Sequence, residues 1–223
     1  MKFYERLQKE TETERHYLLS APLIGRCMQG LVSLDDYVSF LLQAYHHVKH
    51  TTPLLMACGS RLPESKEWLR EAVAEYIEEE LGHQEWILND IAACGYDKDK
   101  ARISKPNMAT ELMVSYAYDT INRINPLGFF GMVNVLEGTS INLADKAAYQ
   151  IKEALGLPEN AFSYLRSHGA LDQDHIKFYE GLMNQIFDQD DQAQIIHSAK
   201  RFYILYGNIF RDLSAEQALA IAA

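Results

Sequence analysis

The chain has 223 residues, of which 48% are hydrophobic and 23% are charged, a composition typical of a globular protein that can bury a sizeable core. Its net charge of -10 argues against a nucleic-acid groove, because such a groove requires a basic patch. Here the Lys/Arg runs are no longer than pairs such as Lys200-Arg201. No apolar stretch of about 18 residues occurs, so no segment is expected to span a membrane.

Three cysteines, Cys27, Cys58 and Cys94, are scattered along the sequence. This spacing indicates neither a disulfide framework nor a cysteine zinc site. The N-terminal segment, MKFYERLQKETETERHY, is charged and lacks the apolar region of a signal peptide. We therefore expect a cytoplasmic protein in a reducing compartment.

Helical periodicity runs along nearly the whole sequence, and strand-like alternation is nearly absent. The loop around 95–107 is the longest irregular segment, and no shift in composition marks a domain boundary. We expect residues 1–223 to form a single all-α domain of about seven or eight helices. The predicted helices cover approximately residues 3–18, 22–30, 34–59, 64–94, 108–123, 126–155, 159–187 and 190–213.

The third predicted helix contains three histidines in the segment FLLQAYHHVKHTTPLL. His47 keeps the register of the apolar residues Phe40 and Leu54, whereas His46 and His50 fall toward the polar face. His47 is therefore predicted to point inward, either as a metal ligand or as a core histidine. The other two are predicted to be solvated or ion-paired.

The fourth predicted helix carries two polar residues, Glu80 and His83, in the middle of an apolar stripe. The other members of that stripe are Leu69, Val73, Tyr76 and Ile87. On a continuous helix, a Glu-x-x-His pair places a carboxylate and an imidazole on adjacent turns of one face. The pair therefore predicts two groups that converge on one point.

The helix of NPLGFFGMVNVLEGTSINLA is apolar on most of its surface, which predicts that it is buried on all sides. Glu137 lies in register with the apolar residues Phe130, Val133 and Ile141. A buried carboxylate is costly unless it is neutral, paired or bound to a metal. Glu137 is thus a candidate ligand, and a hydrogen bond to a tyrosine is the alternative.

The segment SHGALDQDHIKFYEGL repeats this pattern on the helix predicted at 159–187. His168, Asp172 and His175 occupy the centre of a stripe whose flanking members are apolar or aromatic, namely Ala161, Leu165, Tyr179 and Leu182. Asp-x-x-His is a second pairing of carboxylate and imidazole. On this helix alone, a set of hydrogen-bonded core or groove residues is the favoured interpretation, and the metal site is the alternative.

Several helices that each carry a carboxylate or an imidazole in an apolar register are typical of a bundle that builds a two-metal carboxylate site. Nitrogen and oxygen ligands without thiolate suit iron or manganese, and they also accept zinc. Tyr76 and Tyr179 lie one turn from the candidate ligands. They are candidates for hydrogen bonds to those ligands, with plain packing as the alternative.

Three motifs, EEELGHQEWILNDIAACGYD, VLEGTS and SHGALDQDHIKFY, together resemble the heme-oxygenase-like di-iron oxidase/oxygenase group. This group belongs to the superfamily of heme oxygenase, thiaminase II (TenA) and pyrroloquinoline quinone synthase (PqqC). The resemblance extends from about residue 12 to about residue 212. It implies a heme-oxygenase-like helical bundle, with metal ligation by Glu80, His83, Glu137, His168, Asp172 and His175.

The sequence departs from this group in one helix. Its members usually supply a further glutamate from the helix that here reads AYHHVKH, which contains no Glu. His47 or His46 stands near the expected place. The site would then carry one negative charge less, so one metal and two metals both stay open at this point.

The other relatives imply different chemistry. Thiaminase II uses a cysteine nucleophile on the helix that here reads VNVLEGTS, and no cysteine follows Cys94. The segment TERHYLLSAPLIGRCMQG resembles the start of heme oxygenases, with His16 near the place of their iron-binding histidine. The glycine-rich distal helix of heme oxygenases is missing, however. A cofactor-independent oxidase like the quinone synthase would not require so many carboxylates.

These observations predict a non-heme iron oxidase or oxygenase, with two iron ions, that activates O₂ to oxidise a small organic substrate. The alternative is a heme- or small-molecule-binding TenA/PqqC-like protein without a metal centre. A small-molecule substrate and O₂ are the expected partners, with neither nucleic acid nor membrane. The resemblance also implies a homo-oligomer, most simply a dimer.

Overall fold

The structure is a computed structural model that describes residues 1–213 and 218–222. The side chains of residues 168–175 lie outside this description. Within the described residues there is no β-strand, and the prediction of an all-α fold is confirmed. The helices are α1 Phe3–Glu10, α2 Glu12–Leu19, α3 Pro22–Met28, α4 Leu34–Val48, α5 Thr51–Arg61, α6 Glu67–Glu80, α7 His83–Ala93, α8 Lys98–Ile103, α9 Met108–Asp119, α10 Phe129–Leu155, α11 Ser163–Met183 and α12 Gln189–Arg211.

The described chain has more helices than the sequence predicted, because three predicted helices are each divided in two. The divisions fall at Thr11, at residues 49–50 and at residues 81–82. At Thr11 the side-chain hydroxyl donates to the Leu7 carbonyl at 2.8 Å, a bond that competes with the regular helix pattern. The predicted loop at 95–107 also contains the short helix α8. By contrast, α10 continues through Gly138, where the sequence suggested a break.

Helix α10 lies at the centre of the fold, since it packs against both α11 and α12. Its first turns, from Phe129 to Val135, are entirely buried. Gly131 allows the close approach of α12, because a Cβ at this position would lie 2.6 Å from the backbone nitrogen of Ala199. The C-terminal half of α10 alternates between buried and exposed residues. The expectation of burial on all sides is therefore correct only for the N-terminal half.

The C-terminal segment returns to the α7–α8 connection. Tyr96 forms an isolated antiparallel bridge with Ala222, and the backbone nitrogen of Asp97 donates to the Ile221 carbonyl at 3.0 Å. None of the helices in the described residues combines the length and apolar character needed to cross a membrane.

Candidate functional site

A cavity of about 90 Å³ brings together three of the predicted site residues. His47 on α4, Glu80 on α6 and Glu137 on α10 all line it, and so does Tyr76. The remaining described walls are largely apolar, and they include Leu54, Leu55, Phe129, Met132, Val133 and Leu136. We call this space the inner cavity. Side chains that are far apart in the sequence thus line one cavity.

Glu80 and His83 lie on two helices and not on one, so the prediction of a continuous helix at 64–94 is wrong here. Helix α6 ends at Glu80, and Gly82 adopts a φ of +90° before α7 begins at His83. This left-handed conformation is the kind that glycine reaches without a steric penalty. The two side chains nevertheless meet, with His83 Nδ1 3.0 Å from Glu80 Oε2.

His83 lies behind Glu80 and is buried, with its ring stacked on Trp86 at a centroid distance of 4.0 Å. Among the described residues that line the inner cavity, Glu80 is present and His83 is not. A hydrogen bond donated by Nδ1 to Glu80 would fix the imidazole and leave Nε2 as its second nitrogen for a ligand. The pair can therefore act as a unit in which one side chain orients the other.

The end of α6 is an unfavourable place for negative charge. Glu78, Glu79 and Glu80 form its last turn, where the helix dipole and the unpaired carbonyl groups already present partial negative charge. Each such placement costs about 0.3–1 kcal/mol at an exposed position. A cation bound near Glu80 would offset this cost.

Glu137 lines the inner cavity together with Glu80 and interacts with the buried hydroxyl of Tyr76. Burial raises the pKa of Tyr76 far above its ordinary value, and the neighbouring Glu137 carboxylate raises that pKa further. The Tyr76 hydroxyl therefore stays protonated in the neighbourhood of Glu137. The sequence offered hydrogen bonding to a ligand and plain packing as alternatives for Tyr76, and the structure places it beside Glu137 in the inner cavity.

The second candidate tyrosine has a different environment. Tyr179 is fully buried, and its hydroxyl donates to the backbone carbonyl of Phe130 at 2.7 Å. This bond joins α11 to the first turn of α10. Tyr179 is therefore a packing residue that fixes the helix on which Glu137 lies.

His47 points inward, as its register predicted. Only 2% of its surface is exposed, and its ring meets Tyr206 edge to face at a centroid distance of 5.8 Å. The expectation for its neighbour was wrong, because His46 is also buried and not solvated. The His46 ring nitrogens lie 2.8 Å from Ser104 Oγ and 3.2 Å from Lys49 Nζ. His50 contacts the Tyr118 hydroxyl at 3.1 Å.

Three predicted ligands, His168, Asp172 and His175, belong to α11 but lie among the residues whose side chains are not described. The first turn of this helix is described, and a carboxylate from α7 caps it. Asp90 accepts hydrogen bonds from the backbone nitrogens of Ser163 at 3.0 Å and Tyr164 at 2.9 Å. Burial raises the pKa of Asp90, although these hydrogen bonds act to lower it.

The sequence analysis missed Asp90 and Tyr206. Asp90 is fully buried and continues the apolar stripe of His83, Ile87 and Ile91. The reasoning that selected Glu137, an acid in an apolar register, would have selected Asp90 as well. Tyr206 lies in an aromatic-rich stretch, FYILYGN, where no local signal separates a cavity-lining ring from a core ring.

The described side chains around the inner cavity include the ligand types that iron binds. Too few of them lie together, however, to hold an ion. Carboxylate oxygens and imidazole nitrogens line the inner cavity without a cysteine among its described walls, and this donor set suits iron or manganese. Within the described residues, however, no three His, Cys, Asp or Glu side chains lie close enough together to hold an ion. A complete site would need the ligands predicted on α11.

The profile of the family described as iron-containing redox enzyme matches residues 38–207. The matched region contains all the described residues that line the inner cavity. The chain belongs to the iron-containing redox enzyme family. No curated protein sequence matches it significantly.

Solved structures show that this family member has a heme-oxygenase-like fold. A domain of unknown function with that fold from Shewanella denitrificans OS217 superimposes with a TM-score of 0.84 at 22% identity, over 96% of this chain and 92% of the other. A TenA homolog from Pseudomonas syringae gives 0.77 at 12% identity, over 95% and 91%. Heme oxygenase-1 from Synechocystis sp. PCC6803, in complex with heme, gives 0.75 at 12% identity, over 99% and 96%.

His16, the histidine that resembled the iron-binding residue of heme oxygenases, is exposed on α2. It does not line the inner cavity. His16 thus lies at the surface, and this position gives no support to a heme ligand at this site.

Proposed function

We propose that this protein is a non-heme iron oxidase or oxygenase that binds two iron ions and uses O₂ to oxidise a small organic substrate. The observation that carries the proposal is the convergence of His47, Glu80 and Glu137, from three helices, on one largely apolar cavity. Membership of the iron-containing redox enzyme family supports the metal and the reaction class. Several carboxylates around one cavity repel each other unless cations offset their charge.

The proposed ligands come from several helices. The full set would be His47, Glu80, His83 and Glu137 together with His168, Asp172 and His175 on α11. Bound iron would supply the ability to bind and reduce O₂, which amino-acid side chains lack. Two imidazoles and one carboxylate in a mixed set are typical of iron centres that keep positions open for O₂.

The protein itself would control water and protons. The apolar side chains of Leu54, Leu55 and Met132 limit the water that can reach the inner cavity. The Tyr76 hydroxyl would keep its proton beside Glu137, and His83, whose Nδ1 lies 3.0 Å from Glu80 Oε2, would orient that carboxylate. Fixed orientations of this kind tune both ligand basicity and geometry.

Iron stoichiometry and O₂ consumption test the proposal. We expect anaerobic loading with ferrous iron to give about two ions per chain, followed by a transient visible absorption band and O₂ consumption on exposure to air. Glu80→Gln and His47→Gln should each lower the iron content, because each removes a ligand at the inner cavity. The matched control is Glu78→Gln, which changes an exposed carboxylate on the same turn of α6 and should retain the iron.

Two results would contradict the proposal. A wild-type protein that retains no iron after loading would eliminate the metal centre, and a Soret band on heme addition would then favour the heme-binding alternative. Equal loss of iron in Glu78→Gln and Glu80→Gln would show that the effect comes from general charge and not from ligation.

A further inference from the structure

A second cavity, of about 100 Å³, lies between α3, α4, α10, α11 and α12. We call it the outer cavity. Its walls are made largely of aliphatic and aromatic side chains, such as Ile24, Val32, Phe40, Leu143 and Ile151. It lies outside the set of candidate ligands, because His47, Glu80 and Glu137 do not line it.

The outer and inner cavities share part of their walls. Ser140 on α10, Tyr164 on α11 and Tyr206 on α12 line both of them. Tyr206 also contacts the His47 ring, so one side chain touches both the outer cavity and a candidate ligand. These three residues, which we call the junction, therefore belong to the walls of both cavities.

The outer cavity offers little to a charged ligand. Asp36 is the one charged side chain among its described lining residues. The Asp36 carboxylate is already engaged by Arg26 at 3.3 Å and by the Ser33 backbone nitrogen at 3.0 Å. An ionic group placed in this cavity would lose its hydration without gaining a partner of opposite charge.

The junction, in contrast, offers a hydrogen bond. The Ser140 hydroxyl oxygen is buried and has no hydrogen-bond partner among the described residues. A buried polar atom that lacks a partner costs free energy. A ligand that brings a neutral polar group to the junction would remove this cost.

We propose that the outer cavity binds the hydrocarbon end of the substrate, a short alkyl group, while a neutral polar group beside Ser140 places the rest of the molecule in the inner cavity. This inference rests on the proposed function and names the substrate class: a small, elongated molecule that is apolar at one end and uncharged there.

The cavity volumes support a small molecule over a large planar one. An apolar cavity of about 150 Å³ accepts one benzene ring, and the two cavities here are about 100 and 90 Å³. A four-ring porphyrin would require the surrounding helices to separate. A short chain that extends through the junction requires much less rearrangement.

Alcohol binding to the iron-free protein tests the inference separately from catalysis. The probes are 1-hexanol and hexane-1,6-diol, measured by titration calorimetry. We expect 1-hexanol to bind at least about tenfold more tightly, because the diol would bury a second hydroxyl among hydrocarbon side chains. Ser140→Ala should weaken 1-hexanol binding about fivefold through the loss of one hydrogen bond.

Two substitutions on α10 form a matched pair. One fills the outer cavity, and the other adds the same side chain at an exposed position. Ala144 lines the cavity and is 4% exposed, so Ala144→Phe should weaken 1-hexanol binding about tenfold or more while iron content stays unchanged. Lys146→Phe adds the same ring to an exposed position of α10. Its affinity for 1-hexanol should stay within about twofold of that of the wild type. If thermal unfolding shows that Ala144→Phe is not folded, the smaller change Ala147→Leu replaces it.

The outcomes separate the inference from the proposed function. Equal binding of both alcohols, or undiminished binding in the folded cavity-filling variant, would overturn the inference even if iron is present. Cavity-dependent binding of 1-hexanol to a protein that never takes up iron would support the apolar site and overturn the oxidase function.

Discussion

At the scale of single residues, Asp90 connects two parts of the candidate site. It lies on α7, which begins at His83, and it caps α11, on which His168, Asp172 and His175 lie. A carboxylate that accepts two backbone N–H groups satisfies donors that the first turn of a helix leaves open. One buried side chain therefore sets where α11 begins relative to α7.

Removal of this cap should affect both stability and iron binding. We expect Asp90→Ala to lower the free energy of unfolding by roughly 2–3 kcal/mol, because it leaves buried N–H groups without an acceptor. The iron content should also fall as the start of α11 shifts. Urea unfolding and elemental analysis measure the two effects.

Asp188 is the control for this variant because it caps α12 from an exposed position. Asp188→Ala should cost about 1 kcal/mol and leave the iron content unchanged. Asp90→Asn keeps one acceptor oxygen and should recover part of both losses. Normal iron binding in Asp90→Ala would show that the cap has no part in positioning the site.

At the scale of elements, the break between α6 and α7 positions Glu80 and His83. Gly82 turns the chain with a φ of +90°, and the two side chains meet across the turn at 3.0 Å. A regular helix would also bring residues three apart together. The break adds a change of direction, which lets Glu80 line the inner cavity while His83 packs on Trp86.

Gly82→Ala tests this geometry, because alanine is strained at a positive φ. We expect a loss of stability of about 1 kcal/mol together with weaker iron binding, as the turn relaxes and the two side chains separate. Gly95→Ala is the matched control, since Gly95 has a φ of +84° and neither glycine has an atom within 4 Å of an added Cβ among the described contacts.

The control should show a similar loss of stability and a normal iron content. If iron binding is normal in Gly82→Ala, the break would be a feature of the chain path alone. Thermal unfolding and iron analysis of the two purified variants distinguish these cases.

At the scale of the whole molecule, the proposed ligands come from α4, α6, α7, α10 and α11, so an ion would join helices that are distant in sequence. The protein also carries a net charge of -10, to which bound cations would be complementary. Ions that bind only the folded state stabilise it by mass action. Metal binding and folding should therefore be coupled.

Ferrous iron should raise the thermal stability of the protein. At a free concentration about 100 times the Kd, the expected gain is about 2.7 kcal/mol, and a chelator should reverse it under anaerobic conditions. Glu137→Gln should show a smaller gain, because it retains the shape of the side chain but loses an anionic ligand. A wild-type melting curve that does not respond to iron would contradict the coupling.

The sequence by itself determined the helical class and the inward register of particular residues. Tyr76, Glu80, Glu137 and His47 could be selected because a helix repeats every 3.6 residues, so a polar residue in an apolar register is visible locally. The same rule would have found Asp90.

Only the tertiary structure decided how these residues meet. The sharing of one cavity by His47, Glu80 and Glu137, and its contact with a second cavity through Ser140 and Tyr206, depend on how distant helices pack. The break at Gly82 also escaped local prediction, because Glu80 and His83 keep a helical spacing whether or not the helix continues. Packing between distant segments, rather than local periodicity, selects the path of the chain at such points.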